Sequence, residues 1–301
     1  MSVSIARLPD CPEALGDGLV AQFHRDGYLA FENVLTAEEV EAARTALSEI
    51  TGWLMDEARA GRARVREEKP GTRGNYAGVQ VQELDGEFGI HFESSVADPL
   101  SLANAEAELK FRKLHGYHQA HPTFRALVEH PRIKGFVERV LEQKVVLKNE
   151  MALSKPPFIG SEKPWHQDNA YFDWLPLEAV ATAWITLDDA TVENGCMHVL
   201  PGRHKGEAFK HVHTIDCQIV EGRLDYSDAV PLEMKAGGAM IFSAMLPHQT
   251  PPNRSPHRRR ALQFQYRGEN TRQVSREEFG RVFAEVDGTP ATCALAERVD
   301  G

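Results

Sequence analysis

The chain has 301 residues, with 34 Lys and Arg against 44 Asp and Glu, and so a formal net charge of −10. This acidic balance argues against a sequence-independent nucleic-acid binder, which needs a basic face to displace phosphate counterions. Hydrophobic residues make up 42% of the chain and charged residues 26%, which is typical of a globular protein, and no apolar run approaches the roughly 20 residues of a membrane span.

The N-terminal part, about residues 10–142, is predicted to be mainly helical. Thr36 is a candidate N-cap that is followed by the acidic residues of a first helical turn. Apolar residues then recur with helical period at Val40, Ala43, Leu47, Ile50, Leu54 and Ala58. Two shorter helical patterns follow near 122–129 and 131–142. The basic stretch 62–80, which contains Gly and Pro, is predicted to be a solvated loop, with a mobile flap over a site as the alternative.

The pattern changes to strands between about 144 and 268. Short β-rich segments bounded by Gly and Pro turns lie at 145–153, 179–187, 196–200, 239–242 and 261–266. Because no helices separate these strands, they favour an antiparallel sandwich or barrel over a parallel sheet. We therefore expect one mainly β domain over 1–301, in which a helical N-terminal layer packs on a jelly-roll core and 269–301 forms a C-terminal tail.

The cysteines and the first residues bear on the expected compartment. Cys11, Cys196, Cys217 and Cys293 lie far apart and form no CxxC pair, so neither a redox motif nor a zinc ribbon is predicted. A disulfide framework would be denser, and we expect all four to be thiols. Residues 1–7 lack the apolar stretch of a secretory signal. Together these features predict a reducing, cytoplasmic location.

The most informative stretch is Lys163-Pro164-Trp165-His166-Gln167-Asp168-Asn169. In an extended segment the side chains at i and i+2 point to the same face, so His166 and Asp168 can converge on one point. An imidazole and a carboxylate at this spacing form two-thirds of the 2-His-1-carboxylate triad of non-haem iron enzymes. The motif alone has low specificity, since a polar strand end gives the same pattern.

The third ligand must come from elsewhere in the chain. His248 follows an apolar strand that ends at Pro247, so it is expected at a strand mouth. The other candidate histidines are His204, His211, His213 and His257.

Three consecutive arginines, Arg258 to Arg260, stand at the start of the last predicted strand. Alternation places Arg259, Ala261, Gln263 and Gln265 on one face and Arg260, Leu262, Phe264 and Tyr266 on the other. An arginine beside a metal can hold a carboxylate bidentately, as a 2-oxo acid requires. The HxD motif, the distal histidine and the following arginine are much more specific together than singly.

From about Phe23 to Gly268 the chain resembles the phytanoyl-CoA dioxygenase family of iron(II)- and 2-oxoglutarate-dependent oxygenases. The resemblance rests on four parts of the sequence. The first two are the N-terminal helix-and-strand segment Phe23–Tyr28 and the HxD motif in Trp165–Asp168. The other two are the strand–turn–strand Ala183–Met197, followed by Leu200–His204, and His248 with the segment Asn253–Arg260. The resemblance implies a double-stranded β-helix of the cupin-like type. It also implies that iron(II) binds His166, Asp168 and His248, and that 2-oxoglutarate and O₂ are co-reactants.

The resemblance further implies the cosubstrate contacts. Arg259 stands eleven residues after His248, as the family's carboxylate-binding arginine does, and Arg260 is its rival by proximity. Thr250 matches a hydroxyl position beside that carboxylate. Trp184 and Met151 match positions that line the cosubstrate pocket, and Lys113 matches a further cosubstrate contact.

The expected function is therefore hydroxylation of a small-molecule C–H bond, with release of succinate and CO₂. The carboxylate of Asp168 argues against halogenation, because related halogenases carry a small residue there. Two alternatives remain open: an O₂-independent cupin-like metal isomerase or hydrolase, and a non-catalytic jelly-roll binding module. No nucleic-acid or membrane partner is expected. The substrate-facing surface is predicted at Asn149, Asn169, Tyr171, Phe172 and the 62–95 loop.

Overall fold

Antiparallel strands form the centre of the molecule, and helices cover one face of the larger sheet. The computed structural model describes residues 8–68, 78–206, 208–214 and 216–293. The helices are α1 (Asp17–Asp26), α2 (Ala37–Arg59), α3 (Asn104–Lys110), α4 (Pro122–Val128), α5 (Lys134–Leu141) and α6 (Arg276–Val282). Within the described ranges, no helix has both the length and the apolar character needed to cross a membrane.

Seventeen strands complete the described part of the chain. Those before residue 160 are β1 (Tyr28–Phe31), β2 (Ala63–Glu68), β3 (Gly78–Glu83), β4 (Gly89–Phe92), β5 (Phe111–His115) and β6 (Val145–Lys155). The middle group is β7 (Lys163–His166), β8 (Trp174–Leu175), β9 (Val180–Thr186), β10 (Met197–Val199), β11 (His211–His213) and β12 (Cys217–Ile219). The last group is β13 (Val230–Leu232), β14 (Ala239–Ser243), β15 (His248–Thr250), β16 (Arg259–Gly268) and β17 (Arg272–Gln273).

Two sheets build the barrel. The larger has nine strands in the order β1-β14-β9-β16-β6-β5-β4-β3-β2, and the smaller has the order β13-β10-β15-β7. Trp184, Met240 and Phe242 of the larger sheet pack with Met197 and Val199 of the smaller in one buried cluster. This interior is the core of the predicted jelly roll, and the predicted mainly β, cupin-like fold with flanking helices is confirmed.

The helical layer covers the opposite face of the larger sheet. Helix α2 begins where the sequence predicts, because Thr36 Oγ1 accepts from the Glu39 N–H at 3.2 Å and the Glu39 carboxylate accepts from the Thr36 N–H at 2.8 Å. Its predicted apolar stripe joins one large cluster with Leu262, Phe264 and Tyr266 of β16. The helices therefore hold β16 from outside and leave its other face to the barrel interior.

The region between α2 and α4 differs from the prediction. Residues 62–115 contain four strands, β2 to β5, which extend the larger sheet to its edge. The sequence of β2 does not alternate between apolar and polar residues, because this strand lies at the sheet edge and is largely exposed. Residues 69–77 of the predicted loop lie outside the described residues.

The cysteine prediction is wrong for one pair. Cys217 on β12 and Cys293 near the chain end form a disulfide, with their Cα atoms 6.2 Å apart. The C-terminal segment reaches β12 because Phe279 and Phe283 pack into a shared apolar cluster with both cysteines, and because the His211 N–H donates to the Ala291 carbonyl at 2.9 Å. Cys11 and Cys196 are free thiols.

The disulfide gives a prediction for stability. Cys293→Ser removes a cross-link between residues 76 apart, and it should lower the free energy of unfolding by about 2–4 kcal/mol because the unfolded chain gains freedom. Urea unfolding measures the change, with Cys11→Ser as the matched control. Thiol counting by mass spectrometry under non-reducing, denaturing conditions should find two free thiols, and a count of four would contradict the pairing.

Candidate metal centre

The two predicted histidine ligands meet through strand pairing. Strand β7 lies antiparallel to β15, and His166 stands directly opposite His248. Their ring centroids are 4.1 Å apart, and both side chains are buried. The distal ligand candidate named from the sequence is therefore the histidine that reaches the HxD motif.

Asp168 completes the cluster from the turn after β7. Its Oδ1 lies 3.5 Å from His166 Nε2 and 3.7 Å from His248 Nε2. The ligand atoms of the three residues all lie within 4.8 Å of one another, and all three residues are buried. Three ligand atoms this close together can bind one ion and leave its remaining positions to other ligands, as a facial triad does.

Hydrogen bonds orient both imidazoles. His166 Nδ1 bonds to the Pro164 carbonyl at 2.8 Å, and His248 Nδ1 bonds to the Leu246 carbonyl at 2.9 Å. A carbonyl only accepts, so each Nδ1 carries the proton and each Nε2 presents a lone pair toward Asp168. Burial and the neighbouring His166 lower the pKa of His248 to about 3, so its imidazole is neutral and able to bind a metal ion at neutral pH.

Asp168 is held as a carboxylate. Burial by itself would raise its pKa, but the neighbouring His166 and His248 imidazoles and the Thr182 hydroxyl hold the pKa well below its usual range. Thr182 Oγ1 on β9 also donates to Asp168 Oδ2 at 2.6 Å. Sequence reasoning missed Thr182, because its role depends on how β9 faces the turn at Asp168. Two neutral imidazoles and one carboxylate fit a divalent ion such as iron(II).

The two neighbouring arginines of β16 have different surroundings. Arg260 Nε and Nη2 donate to the Asp188 carboxylate, each at 2.9 Å, and Nη1 lies 3.3 Å from a Glu108 oxygen. Arg259 is 1% exposed, and its Nε and Nη1 have no hydrogen-bond partner among the described residues. Because a buried guanidinium without acceptors is unfavourable, Arg259 fits a site that receives an anionic ligand.

The other predicted cosubstrate residues share this side of the sheet. Gln263 of β16 stands between Met151 on β6 and Trp184 on β9. The Arg259 guanidinium carbon lies 5.4 Å from the centroid of the Trp184 ring, and Trp184 Nε1 is buried without a partner among the described residues. Two buried donors that lack acceptors therefore lie side by side in the barrel interior.

The remaining predicted cosubstrate residues, Thr250 and Lys113, lie on two other strands. Thr250 is buried on β15, two residues after His248. Lys113 on β5 stands opposite Leu153 of β6, on the face opposite to Leu114, whose side chain joins the helix-side core. The structure thus brings every predicted cosubstrate residue to the barrel side of its strand.

Lys155 is a further residue that the sequence analysis did not single out. It is buried on β6 opposite Arg259, and its Nζ donates to the Ser161 carbonyl and, at 3.2 Å, to the Thr250 carbonyl. Burial and the adjacent Arg259 lower its pKa well below the usual range. Lys155 therefore connects its own strand, β6, to the Thr250 carbonyl of β15.

Tyr171, one of the predicted substrate-facing residues, is bound to a nearby acid. Its hydroxyl donates to Asp216 Oδ1 at 2.8 Å, and Lys163 Nζ contacts the same carboxylate at 2.5 Å. Burial would raise the pKa of Asp216, but Lys163 holds it well below its usual range. This charged cluster closes the barrel beside His166, whose ring centroid lies 6.0 Å from that of Tyr171.

Comparison with known proteins agrees with the family resemblance of the sequence. The family model "Phytanoyl-CoA dioxygenase (PhyH)" matches residues 23–261, which is more than half of the chain. The chain belongs to the phytanoyl-CoA dioxygenase family. The predicted membership of this family of iron(II)- and 2-oxoglutarate-dependent enzymes is confirmed.

Relatives with this family's name match most of the chain. Phytanoyl-CoA dioxygenase domain-containing protein 1 of Danio rerio is 29% identical over 84% of this chain and 90% of its own. Phytanoyl-CoA dioxygenase 1 of Oryza sativa subsp. japonica is 27% identical over 83% of this chain and 88% of its own.

Solved structures share the fold. The carbocyclase SnoK from nogalamycin biosynthesis, a non-haem α-ketoglutarate-dependent enzyme, aligns with a TM-score of 0.60 at 21% identity, over 88% of each chain. EctD from S. alaskensis, solved with 2-oxoglutarate and 5-hydroxyectoine, aligns with a TM-score of 0.59 at 20% identity, over 90% of this chain and 82% of EctD.

The Thr182 hydrogen bond gives a test of how the centre is held. Thr182→Val keeps the side-chain shape but removes the donor to Asp168 Oδ2. We expect iron(II) affinity to fall by about 10–100-fold, the usual effect of losing a bond to a metal ligand. Anaerobic calorimetry measures the affinity, and Thr186→Val on the same strand, whose hydroxyl bonds to the Lys235 and Gly238 carbonyls, is the control. Equal losses in both variants would contradict a specific role for Thr182.

Proposed function

We propose that the protein is an oxygenase that uses iron(II), 2-oxoglutarate and O₂ to hydroxylate a C–H bond of a small molecule, with release of succinate and CO₂. The observation that carries this proposal is the buried His166–Asp168–His248 cluster in the same barrel interior as the Arg259 guanidinium, whose Nε and Nη1 have no partner among the described residues. A metal triad alone suits many reactions. A triad beside a buried anion receptor suits an enzyme whose metal works with a dicarboxylate co-reactant.

His166, Asp168 and His248 would hold the iron. Both histidines present Nε2 because Nδ1 is bonded to a carbonyl, and Asp168 is fixed by Thr182. This support keeps the three ligands on one side of the ion. When bound, the iron supplies activation of O₂, coupled to oxidative decarboxylation of 2-oxoglutarate.

Arg259 would bind the far carboxylate of 2-oxoglutarate. Its Nε and Nη1 have no acceptor among the described residues, and a guanidinium can hold a carboxylate bidentately through its Nε–Nη2 edge or its Nη1–Nη2 edge. Burial lowers the pKa of Arg259 to about 10, so the guanidinium stays charged at neutral pH. Thr250, Trp184 and Met151 would line the same pocket, and Lys113 would approach it from β5. Trp184 Nε1 offers one more donor there.

The protein's own contribution is to position the reactants and to exclude water. The ligands and Arg259 are each at most 4% exposed, so a bound dicarboxylate exchanges its water shell for fixed donors. Substrate must then enter from the open side of the triad. An O₂-independent isomerase or hydrolase would have no use for a buried guanidinium without an acceptor, and this observation favours the oxygenase over that alternative.

Loss of a ligand tests the reaction. His166→Ala, Asp168→Ala and His248→Ala should each reduce succinate formation from 2-oxoglutarate under air by at least about 100-fold, since removal of one ligand weakens or abolishes iron binding. His257→Ala, at an exposed histidine, is the matched control and should retain activity. Succinate output that is unchanged in the ligand variants would refute the proposed centre.

The two arginines give an independent test of cosubstrate binding. Arg259→Gln should raise the KM for 2-oxoglutarate by about 10–100-fold, the cost of losing a charge-assisted bidentate contact, while iron(II) affinity stays the same. Arg260→Gln, which breaks the ion pairs to Asp188 and Glu108, should lower the melting temperature with little change in this KM. A larger KM effect at Arg260 would reverse the assignment.

A further inference from the structure

A cleft of about 370 Å³ opens where β5 leaves the edge of β6. Strand β5 pairs with β6 only from Lys113 to His115, opposite Leu153 to Met151. The earlier part of β6 pairs with β16 on one side, and no described strand pairs with its other side. Backbone N–H and C=O groups at such an edge are available to a ligand that makes hydrogen bonds.

A β-bulge at Lys148 interrupts the regular alternation of β6, and the Lys148 side chain lies beside the segment that follows Asp168. In the pairing of β6 with β16, Asn149 stands opposite Gln265 and Leu147 opposite Tyr266, so Lys148 is the extra residue. Bulges re-aim side chains in this way beside active sites. Lys148 Nζ lies 5.4 Å from the centroid of the Phe172 ring, and Phe172 directly follows the turn Asp168–Tyr171 that carries the metal ligand.

Asn149 links the cleft to the centre. Its Nδ2 donates to Gln265 Oε1 at 2.8 Å. Gln265 stands opposite Thr182 on the next strand, and Thr182 donates to Asp168. Since neighbouring strands lie about 4.8 Å apart, Asn149 is about 10 Å from Thr182. Asn149, Gln265 and Thr182 therefore follow one another along one face of the sheet, from the cleft to Asp168.

The walls of the cleft combine Leu147 with polar and charged side chains. The polar and charged ones are Gln82, Glu87, His115, His118, Lys148, Asn149 and Glu150. Glu150 is engaged by His118, whose Nδ1 lies 2.7 Å away and whose N–H donates at 3.2 Å. Burial and Lys113 lower the pKa of His115 to about 4, which leaves it neutral. Lys148 contacts the Phe172 ring and pairs with no carboxylate of the described residues.

We propose that this cleft binds the substrate, and that the substrate is a small polar acid or zwitterion, of the amino-acid or hydroxy-acid class, whose anionic group pairs with Lys148. Asn149 and the free edge of β6 bind its remaining polar groups. The volume is near the low end of the roughly 300–1,000 Å³ of small-molecule sites, which suits a molecule of this size, and the polar groups of the walls favour a ligand that makes hydrogen bonds. The reaction at this molecule rests on the proposed function, whereas its binding does not.

Two probe sets test the substrate class. The enzyme is loaded under nitrogen with iron(II) and saturating 2-oxoglutarate, and binding is measured by ligand-observed NMR. The polar set is L-serine, L-threonine, L-glutamine and glycerate, and the alkyl set, with a carboxylate of equal charge, is butyrate, hexanoate and octanoate. We expect members of the polar set to bind and the alkyl set not to bind. Binding of the alkyl acids in preference, or of neither set, would overturn the proposal.

Variants test Lys148 itself. Lys148→Met should weaken binding of the polar acids by about tenfold or more, the effect of losing a charge-assisted hydrogen bond, and Lys148→Arg should restore most of it. Lys144→Met is the matched control, because Lys144 is exposed, pairs with Glu138 at 2.7 Å and does not line the cleft. An equal dissociation constant for the Lys148→Met variant and the unmodified enzyme would refute the role.

A separate readout distinguishes the two proposals. The visible absorption of the enzyme with iron(II) and 2-oxoglutarate, recorded before any probe is added, reports whether the centre is loaded. If this absorption is absent, the proposed function fails, and binding of polar acids to the cleft still tests the inference. If it is present and the polar acids do not bind, the inference alone fails.

Discussion

The short antiparallel pairing of β7 with β15 is the contact on which the candidate site depends, because it sets His166 opposite His248. Side chains alternate along a strand, so a slip of one residue in this register would turn one histidine out of the barrel. The register is held by packing as well as by hydrogen bonds. The ring centroids of Phe242 and His248 lie 4.7 Å apart, and Phe242 belongs to the buried cluster between the two sheets. The apolar core of the barrel and the metal centre therefore support each other.

Strand β16 divides the molecule into a structural side and a reactive side. Leu262, Phe264 and Tyr266 join the core beneath the helices, and Arg260 is fixed on that side by Asp188 and Glu108. Arg259 and Gln263 face the interior. Burying the Arg259 guanidinium without an acceptor is costly, and the helical layer that packs on the other face of the strand provides the stability that offsets this cost. The buried cation thus pre-organises a receptor for an anion.

Three irregularities in the strands surround this interior. Register shifts occur between His248 and Thr250 against β7, between Gln265 and Tyr266 against β6, and between His91 and Phe92 against β5. Each adjoins a residue assigned here to the metal, the cosubstrate or the substrate. A regular strand sends every second side chain inward, and an extra residue allows two adjacent ones to do so. The bulges therefore interrupt the regular alternation of the strands next to these residues.

The sequence by itself determined the parts whose signal is local. The capping pattern and helical period at Thr36 and after it located α2, the alternation along β16 placed Arg259 on the opposite face to Arg260, and the HxD motif with the family resemblance named the triad. Only the tertiary structure showed the strands β2 to β5, the Cys217–Cys293 disulfide and the bond from Thr182 to Asp168. Each of these joins segments that are distant along the chain. Spacing and periodicity report on neighbours in sequence, whereas these contacts depend on which strands become neighbours in space.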